Sequence, residues 1–519
     1  WGYNAYTLGL DGKDEFGKLL PYTYLESFGD FKPPLYAYLS IIPVWIFGLN
    51  EFATRFASAF FGTLTVLVVY FLAKAFFQTV PLKQKTQNFS EAIALVSAGI
   101  VAISHWHIML SRGAFEANIA TFLLATGVWL FILAIQHNRW LLLISLTCFI
   151  LSFYTFNSAR VVAPLLILLL GLSYFKQLWA TKKIVIISGI VALAFLLPTI
   201  PFLLSPQARL RFQEVNIFSN VAVVQKANQQ IINDDNVWWS NILHNRRVLF
   251  AGEFLHHYAD NLSPEFLFVK GDGNPKFSIQ SLGQLYFWEL PFLLFGMIFL
   301  IRKQVSKWWI LPAWILIAII PAGVARETPH ALRIESALIP LALLVGYGVV
   351  NAIALTKEKI GKFPLRKTFI GILVLCVLTG FIYFVETYFV HYRKEYSREW
   401  QYGYKEAVSY MQDMQGKYDI ISLTQGLGRP YIYTLFYTKY DPVQFREKAV
   451  VGRDAFGFVT VKSLDKYYFG REFLPANKSN KKILYIDEPR FVPKNAIVQK
   501  TFYLVDGSIV LQAYTLPVK

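Results

Sequence analysis

Long apolar runs, repeated along most of the chain, constrain the fold more than any other feature. A helix needs about 20 apolar residues to cross a bilayer. Ten runs approach that length, at 51–77, 91–110, 114–136, 140–157, 161–177, 183–204, 284–301, 307–324, 333–355 and 368–390. A shorter run, 34–49, predicts an interfacial or half-inserted helix. The pattern therefore predicts a mainly α, polytopic membrane protein with about ten transmembrane helices.

The composition excludes several other classes. Hydrophobic residues make up 55% of the chain and charged residues 16%, whereas soluble domains are about 25% charged. With only Cys148 and Cys376, a disulfide scaffold is also excluded. The net charge of +17 is weak evidence for nucleic acid, because Lys and Arg of membrane proteins set orientation and contact lipid phosphates. We expect membrane lipids as partners and no nucleic acid.

The distribution of basic residues between the loops predicts the orientation. One set of loops is Lys- and Arg-rich and is predicted to be cytoplasmic by the positive-inside rule. Its basic residues are Lys83, Lys85, Arg139, Lys176, Lys182, Lys183, Arg302, Lys303, Lys307, Lys357, Lys359, Lys362, Arg366 and Lys367. The alternate loops carry only one or two Arg each. The first loop (1–50), the long loop (205–283) and the tail (391–519) are therefore predicted to lie outside the cytoplasm.

We divide the chain into a transmembrane domain, 1–390, and an extracytoplasmic α/β domain, 391–519. Residues 1–30 are polar and turn-rich, and we expect them to form a loop. In the tail, residues 400–415 look helical, and short β-like runs follow at 419–424, 481–488 and 501–516. Asp506-Gly507 between alternating apolar residues predicts a hairpin turn.

Polar residues at the outer ends of the spans are the candidates for chemistry. Lys32 precedes two prolines that stiffen the entry to the next helix, so it can bind a lipid phosphate. The alternative is a lysine that snorkels at a helix start.

A second group of candidates includes Arg112, Glu116 and Arg160. A carboxylate at the top of a span is costly without a partner, so Glu116 is a functional candidate, although an i, i+4 ion pair with Arg112 is an equal alternative. Several outer Arg residues around one rim would form an anion site.

Polar candidate residues are most concentrated in the segment 326–333. His330 and Arg333 are three residues apart at the predicted start of a helix, whose N-terminus favours anions. Phosphate binding is one interpretation, and a capped, charged helix end is the other.

The long loop holds aromatic residues beside carboxylates and amides, such as Trp238, Trp239, Asp234 and Asp235. This mixture suits sugar rings and equally suits a membrane-interface belt. No P-loop, GxGxxG, CxxC or HExxH motif is present, and His105 and His107 are spaced unfavourably for a metal pair. No cofactor is predicted, and a divalent metal stays an open alternative.

Several blocks resemble one family of membrane glycosyltransferases. WGYNAYTL, GKDEFGKLLPYTYLESFGDFKPPLYAYL and FGLNEFATRFASAFFGTLTVLVVYFLAK are similar to the first outer loop and following span of the dolichyl-phosphate-mannose–protein mannosyltransferases and their bacterial relatives, including lipid A aminoarabinose transferases. SRGAFEANIA, NSARVVAPLL, HYADNLSPEFLF, LGQLYFWELPFLLFG and PAGVARETPHALRIESALIP resemble later blocks of a bacterial branch. The resemblance covers about residues 1–390 and implies the GT-C fold.

The resemblance implies transfer of a sugar from a polyprenyl-phosphate donor to a lipid, glycan or protein acceptor on the extracytoplasmic face, with a carboxylate as general base and basic residues on the leaving phosphate. Lys32 matches the family's phosphate-binding lysine, and Arg112, Arg160, His330 and Arg333 complete the expected phosphate side. Glu116 and Asp30 are the remaining acidic candidates.

Relatives carry an Asp-Glu pair just before the block that matches WGYNAY. The resemblance therefore implies an N-terminally truncated chain, whose main acidic pair and first transmembrane helix lie upstream of Trp1. Asp14 and Glu15 belong to a different block and are not expected to replace that pair.

Three alternatives remain at this point. A polytopic transporter or lipid flippase also needs many spans, although transporters place charge near the midplane and often contain repeats. A catalytically lapsed relative would still bind lipid phosphate. An assembly protein would act through its external domain. We expect the protein in a prokaryotic plasma (inner) membrane.

Overall fold

The computed structural model describes residues 1–27, 30–78, 86–206, 208, 216–303, 305–453, 458–477 and 481–517, and for residues 86 and 87 it describes the backbone only. Lys83 and Lys85, which support the predicted orientation, lie outside the described residues. The chain forms two compact units, Trp1–Ala57 with Val385–Lys519, and Ser58–Phe384. The predicted domains, 1–390 and 391–519, divide the chain by membrane location, and they stay a prediction.

Each of the ten apolar runs contains a helix. Among the described residues, five helices are long and apolar enough to cross a membrane, and they are Glu51–Phe77, Glu116–Gln136, Lys182–Leu203, Glu335–Leu355 and Leu365–Glu395. Four other runs form shorter helices, Leu141–Phe153, Ala159–Ser173, Glu289–Arg302 and Ile310–Gly323. The mainly helical membrane fold is confirmed, whereas the number of ten spans stays a prediction.

The run 91–110 forms two helices with a bend between them. Only together are these helices long and apolar enough to cross a membrane. Thr86–Ile103 is followed by His105–Arg112, at an angle of 55°. Ser104 starts the second helix, because its hydroxyl accepts the N–H of His107 at 3.3 Å. His105 and His107 each bond a backbone carbonyl, of Gly283 at 2.5 Å and of Gly62 at 2.9 Å. The two histidines therefore hold the bend in place.

Two glycines bring the helices Glu289–Arg302 and Leu338–Leu355 together. A Cβ atom on Gly348 would lie 2.0 Å from the carbonyl oxygen of Phe292, and one on Gly296 would lie 2.2 Å from that of Leu344. Only glycine permits this backbone approach, which is the usual way in which membrane helices gain packing contacts.

The long loop also contains helices among its described residues. Its helices are Val221–Asn233, Ser240–Leu243 and Arg246–Asp260, with a π-helical turn at Glu265–Val269 and a 3₁₀ turn at Ile217–Ser219. Short helices at Phe175–Trp179 and Ile200–Leu203 and 3₁₀ turns at Leu197–Thr199 and Glu335–Ala337 complete this unit.

The other unit begins with a helix, Gly2–Asp11. The expectation of a turn-rich loop over 1–30 is wrong for this stretch, since the helix buries Tyr3, Asn4 and Leu8, among others. Strands β1 (Leu25–Ser27) and β2 (Asp30–Lys32) then pair antiparallel. The predicted interfacial run forms the helix Leu35–Phe47, whose placement in a membrane stays a prediction.

The C-terminal part of that unit is built on a seven-stranded mixed sheet, which confirms the α/β prediction for the tail. Its order is β4-β5-β6-β3-β7-β9-β8. The strands are β3 (Ile420–Leu423), β4 (Ala449–Arg453), β5 (Val459–Leu464), β6 (Tyr467–Tyr468), β7 (Ile483–Asp487), β8 (Ile497–Tyr503) and β9 (Ile509–Thr515). As predicted, β8 and β9 form a hairpin around Gly507, whose φ is 88°.

Helices flank this sheet. The predicted helix over 400–415 is Tyr404–Met414, and sequence reasoning missed Pro430–Thr438 and Pro442–Lys448. Short helical turns at Thr387–Tyr392, Arg393–Glu395, Arg398–Trp400, Arg471–Phe473 and Pro489–Phe491 complete the unit. The buried faces of Tyr404–Met414 and the central strands share one apolar core.

Candidate functional site

Lys32 ends strand β2, just before the helix Leu35–Phe47. Its Nζ lies 5.2 Å from the centre of the Trp1 ring, and Trp1 in turn lies 5.2 Å from Tyr36, centre to centre. A cation at this distance from an indole face is attracted by the ring quadrupole. Lys32 is thus half-buried, with its ammonium beside the Trp1 ring, which restricts its position.

Asp30 begins the same strand and is also half-buried. Its Oδ1 accepts the N–H of Phe31 at 2.8 Å. Lys32 and Asp30 are two residues apart on a strand, so their side chains point to the same side of the hairpin.

Asp14 and Glu15 are completely buried, and their contacts are structural. Asp14 Oδ1 accepts the N–H groups of Phe16 and Lys18 at 3.1 and 2.8 Å, and burial raises the pKa of its carboxyl. Glu15 accepts hydrogen bonds from Asn4 at 2.8 Å and from Tyr431 at 2.9 Å. The expectation that the pair is not the family's catalytic pair stays a prediction.

Arg333 lines a small cavity in the unit Ser58–Phe384. The cavity measures about 10 Å³, which is room for about one water molecule. Three segments line it, the start of Glu116–Gln136, the start of Ala159–Ser173, and residues 332–336. Both Glu116 and Arg160 are thus directly adjacent in sequence to cavity-lining residues, Ala117 and Ala159.

Sequence reasoning missed the most unusual residue of this cavity, Glu335. Glu335 is 1% exposed, and among the residues that the structure describes neither of its carboxylate oxygens has a hydrogen-bond partner. An acidic residue at the start of a predicted span was the available signal, and it was overlooked beside His330 and Arg333.

Arg112 and Glu116 belong to different helices. Arg112 ends His105–Arg112 and is exposed, whereas Glu116 begins Glu116–Gln136 after a break at 113–115. Gly113 ends the first helix, so the two residues lie on different helices, and an ion pair between them stays a prediction.

Arg160 packs among aromatic rings. Its guanidinium lies 5.3 Å from the ring of Phe153 and 5.6 Å from that of Phe202, and its Nε donates to the carbonyl of Phe153 at 3.4 Å. These contacts orient the side chain at the start of the helix Ala159–Ser173.

His330 is buried beside Asp272. Its backbone N–H donates to Asn261 at 2.9 Å, its ring stacks on Phe277, and its Nδ1 lies 3.8 Å from Asp272 Oδ2, too far for a hydrogen bond. Burial, with Arg333 nearby, lowers the pKa of His330 to about 3. The imidazole is thus neutral at pH 7 and supplies no charge to an anion site.

Asp272 holds the segment before the helix. Its Oδ2 accepts the N–H of Ala331 at 2.7 Å and its Oδ1 that of Asn274 at 2.8 Å. Burial raises the pKa of Asp272 to about 6. Residues 331–334 form turns, and the helix predicted from 333 begins with the 3₁₀ turn Glu335–Ala337 and continues as Leu338–Leu355.

The candidate residues fall into both compact units. Lys32 and Asp30 belong to the unit Trp1–Ala57 with Val385–Lys519, and the others, Arg112, Glu116, Arg160, His330 and Arg333, belong to Ser58–Phe384. Within the described ranges, no group of three or more His, Cys, Asp or Glu side chains comes together to hold a metal ion.

Comparisons with known proteins point to one fold. Residues 31–202 match the family model described as dolichyl-phosphate-mannose-protein mannosyltransferase. No curated protein matches the chain. ArnT from Cupriavidus metallidurans in the apo state has the same fold, with a TM-score of 0.52, 10% identity, and coverage of 99% of this chain and 92% of that chain.

The same ArnT bound to undecaprenyl phosphate gives a TM-score of 0.51 and 11% identity, with the same coverage of both chains. The matched segment 31–202 contains Lys32, Arg112, Glu116 and Arg160. The fold that the sequence resemblance implies is thereby confirmed. The chain is an integral membrane protein that shares the fold of ArnT, and its residues 31–202 match the mannosyltransferase family model.

Proposed function

We propose that this protein is a glycosyltransferase that takes a sugar from a polyprenyl-phosphate donor and passes it to an acceptor on the extracytoplasmic face. The fold shared with an ArnT that binds undecaprenyl phosphate carries this proposal. The match of residues 31–202 to the mannosyltransferase model supports it.

In the proposed reaction, a nucleophilic oxygen or nitrogen of the acceptor attacks C1 of the sugar. The bond between C1 and the phosphate oxygen breaks, and the polyprenyl phosphate leaves with the electron pair. The acceptor's proton passes to a carboxylate. Charge accumulates on the leaving phosphate, so fixed cations lower the barrier.

Lys32 is the first candidate for holding that phosphate. Its ammonium is restricted by Trp1, so less conformational entropy is lost when a phosphate binds. Arg112, Arg160 and Arg333 are the further cationic candidates, whereas the neutral ring of His330 contributes shape and hydrogen bonding rather than charge.

Glu116 is the leading acidic candidate for the proton, and Asp30 is the second. Glu116 lies at the N-terminus of its helix and directly precedes the cavity-lining residue Ala117. Glu335 has two carboxylate oxygens without a hydrogen-bond partner in the described part of the chain, so it is a further candidate to accept a hydrogen bond from the hydroxyl or amine of the sugar acceptor.

One observation favours the transporter alternative, namely the 55° bend at Ser104, since broken helices are frequent in transporters. The polar side chains at this bend are His105 and His107, which already bond backbone carbonyls. They explain the bend structurally, so the glycosyltransferase remains the better-supported function.

The proposal is tested by sugar transfer. The full chain in proteoliposomes is given undecaprenyl phosphate that carries radiolabelled mannose, glucose or galactose, with a membrane extract of the same cells as the acceptor. We expect label to leave the polyprenyl donor, and Lys32→Ala and Glu116→Gln to reduce that transfer at least about tenfold.

Lys494→Ala is the matched control for charge, because Lys494 is an exposed lysine of the same compact unit as Lys32. It should transfer sugar at the wild-type rate. Movement of the labelled lipid across the bilayer with its sugar still attached would instead support the flippase.

A further inference from the structure

We propose that Tyr431, in the C-terminal part of the chain, is a positioning residue for Lys32, acting through Glu15, Asn4 and Ser27. This inference rests on the proposed function, because it assigns the C-terminal α/β region a role in binding the donor phosphate. The four residues form a continuous hydrogen-bonded path within one compact unit.

The path begins at Tyr431, on the helix Pro430–Thr438. Its hydroxyl donates to Glu15 Oε1 at 2.9 Å. Tyr431 is 2% exposed and Glu15 0%. Burial and the charge of Glu15 raise the pKa of Tyr431 well above its usual value, so the phenol stays a donor. A hydrogen bond to a buried carboxylate is among the stronger side-chain contacts in proteins.

Both polar atoms of the Asn4 side chain form hydrogen bonds that continue the path. Its Nδ2 donates to Glu15 Oε2 at 2.8 Å, and its Oδ1 accepts the N–H of Glu15 at 3.1 Å. The same Nδ2 donates to Ser27 Oγ at 2.9 Å. The amide therefore fixes Glu15 on one side and strand β1 on the other, and it is itself completely buried.

The hairpin carries the path to Lys32. Ser27 pairs with Asp30 and Leu25 pairs with Lys32 across β1 and β2. Residues opposite each other on an antiparallel pair, and residues two apart on a strand, share one face. The side chains of Ser27 and Lys32 are therefore on the same face of this hairpin.

The helix Gly2–Asp11 provides a second structural connection to Lys32. It contains Asn4, and Trp1 directly precedes it, with its ring 5.2 Å from the Lys32 ammonium. A displacement of this helix would move both the Ser27 contact and the ring beside Lys32. Because Glu15 binds both Tyr431 and Asn4, the Tyr431 hydroxyl is placed to limit that displacement.

Other contacts join the same parts of this unit, so the unit does not depend on one hydroxyl for folding. Arg446 donates to the carbonyl of Asp14 at 3.1 Å and pairs with Asp11, and Tyr3 donates to the carbonyl of Tyr440 at 3.0 Å. Tyr431→Phe should fold, with the Glu15 carboxylate deprived of one of its donors.

The test is a double-mutant cycle on binding of undecaprenyl phosphate to the full chain in nanodiscs. The proteins are wild type, Tyr431→Phe, Lys32→Ala and the double variant. We expect Lys32→Ala to weaken binding about tenfold and Tyr431→Phe to weaken it about fivefold. In the Lys32→Ala background, Tyr431→Phe should weaken binding less than about twofold, because its effect passes through the lysine.

Tyr433→Phe is the matched control. Tyr433 lies on the same helix and donates to Gln401 at 3.1 Å, outside the path to Lys32. It should leave binding unchanged, even if its thermal stability falls as much as that of Tyr431→Phe. Equal losses of binding from Tyr431→Phe with and without Lys32 would overturn the positioning role.

The outcomes separate this inference from the proposed function. If Lys32→Ala leaves binding unchanged, the phosphate role of Lys32 fails, and the positioning role fails with it. If Lys32→Ala weakens binding and Tyr431→Phe has no effect, the positioning role alone is wrong.

Discussion

His330 shows how burial changes the role that a sequence motif suggests. Next to Arg333, a histidine looks like part of a cationic cluster, but the buried ring has a pKa of about 3. The neighbouring groups explain its position, since Asn261 binds its backbone and Phe277 stacks on its ring. Of the predicted cations in this segment, Arg333 alone keeps its charge at neutral pH.

A neutral buried histidine makes stability depend on pH. The unfolded chain takes up a proton near pH 6.5, whereas folded His330 does so only near pH 3. Its contribution to stability is therefore complete above pH 6.5 and is lost as the pH falls towards 3. We expect His330→Gln to show a smaller fall of the unfolding midpoint between pH 6.5 and pH 4.5 than the wild type.

His256→Gln is the control for this titration, because the side chain of His256 is 71% exposed. It should follow the pH dependence of the wild type. The same slope for His330→Gln as for the wild type would show that the ring is protonated in the folded protein.

Individual residues also show where sequence reasoning stops. The position of Lys32 before two prolines was visible in the sequence, and the structure places it just before a helix, beside the Trp1 ring. Glu15 gave no comparable signal, because its burial depends on residues far away in the chain. Tyr431, which binds Glu15, is separated from it by 416 positions.

At the scale of elements, Gly296 and Gly348 determine how closely the helices Glu289–Arg302 and Leu338–Leu355 pack. Backbone atoms of each helix occupy the space where a side chain on the other would lie. Extra atoms in a tight contact cost about 1–3 kcal/mol, since the neighbouring backbone must move.

We expect Gly348→Ala to lower the stability of the purified protein by about 2 kcal/mol. A thermal unfolding scan in detergent measures the change. Gly189→Ala is the control, because Gly189 is also in an apolar helix, and among the described residues no atom outside its own helix backbone and its two chain neighbours lies within 4 Å of its Cβ position. An unchanged midpoint for Gly348→Ala would mean that the two helices are less closely packed.

The elements themselves were largely predictable. Apolar runs locate helices because a membrane requires every backbone polar group to be bonded within the segment. Their exact ends were less predictable, since local contacts decide them, as Ser104 and Asp272 do here. The helix Gly2–Asp11 was missed because its burial depends on the C-terminal part of the chain, for example through Tyr3 and Tyr440.

At the scale of the molecule, the first 57 residues and the C-terminal part form a single compact unit. Besides the path through Tyr431, Lys405 pairs with Glu51 at 2.8 Å and Arg453 with Glu26 at 3.6 Å. The C-terminal part therefore contributes to the structure of the first loop, where the predicted phosphate ligand lies.

We expect a chain that ends before Val385 to expose its first loop. Asp14 and Glu15 would lose the covering helices, and the charged carboxylates would favour solvent. Brief trypsin treatment should then cleave after Lys13 or Lys18 much faster than in the full chain, as followed by mass spectrometry. Equal cleavage rates would show that the first loop holds its structure alone.

The central claim is that the protein binds a polyprenyl-phosphate sugar, and native mass spectrometry of the full chain purified from its own membrane tests it most directly. We predict a bound lipid with the mass of a polyprenyl monophosphate glycoside, which is depleted in Lys32→Ala and retained in Lys494→Ala. A wild-type protein that carries only membrane phospholipids, unchanged by Lys32→Ala, would contradict the claim.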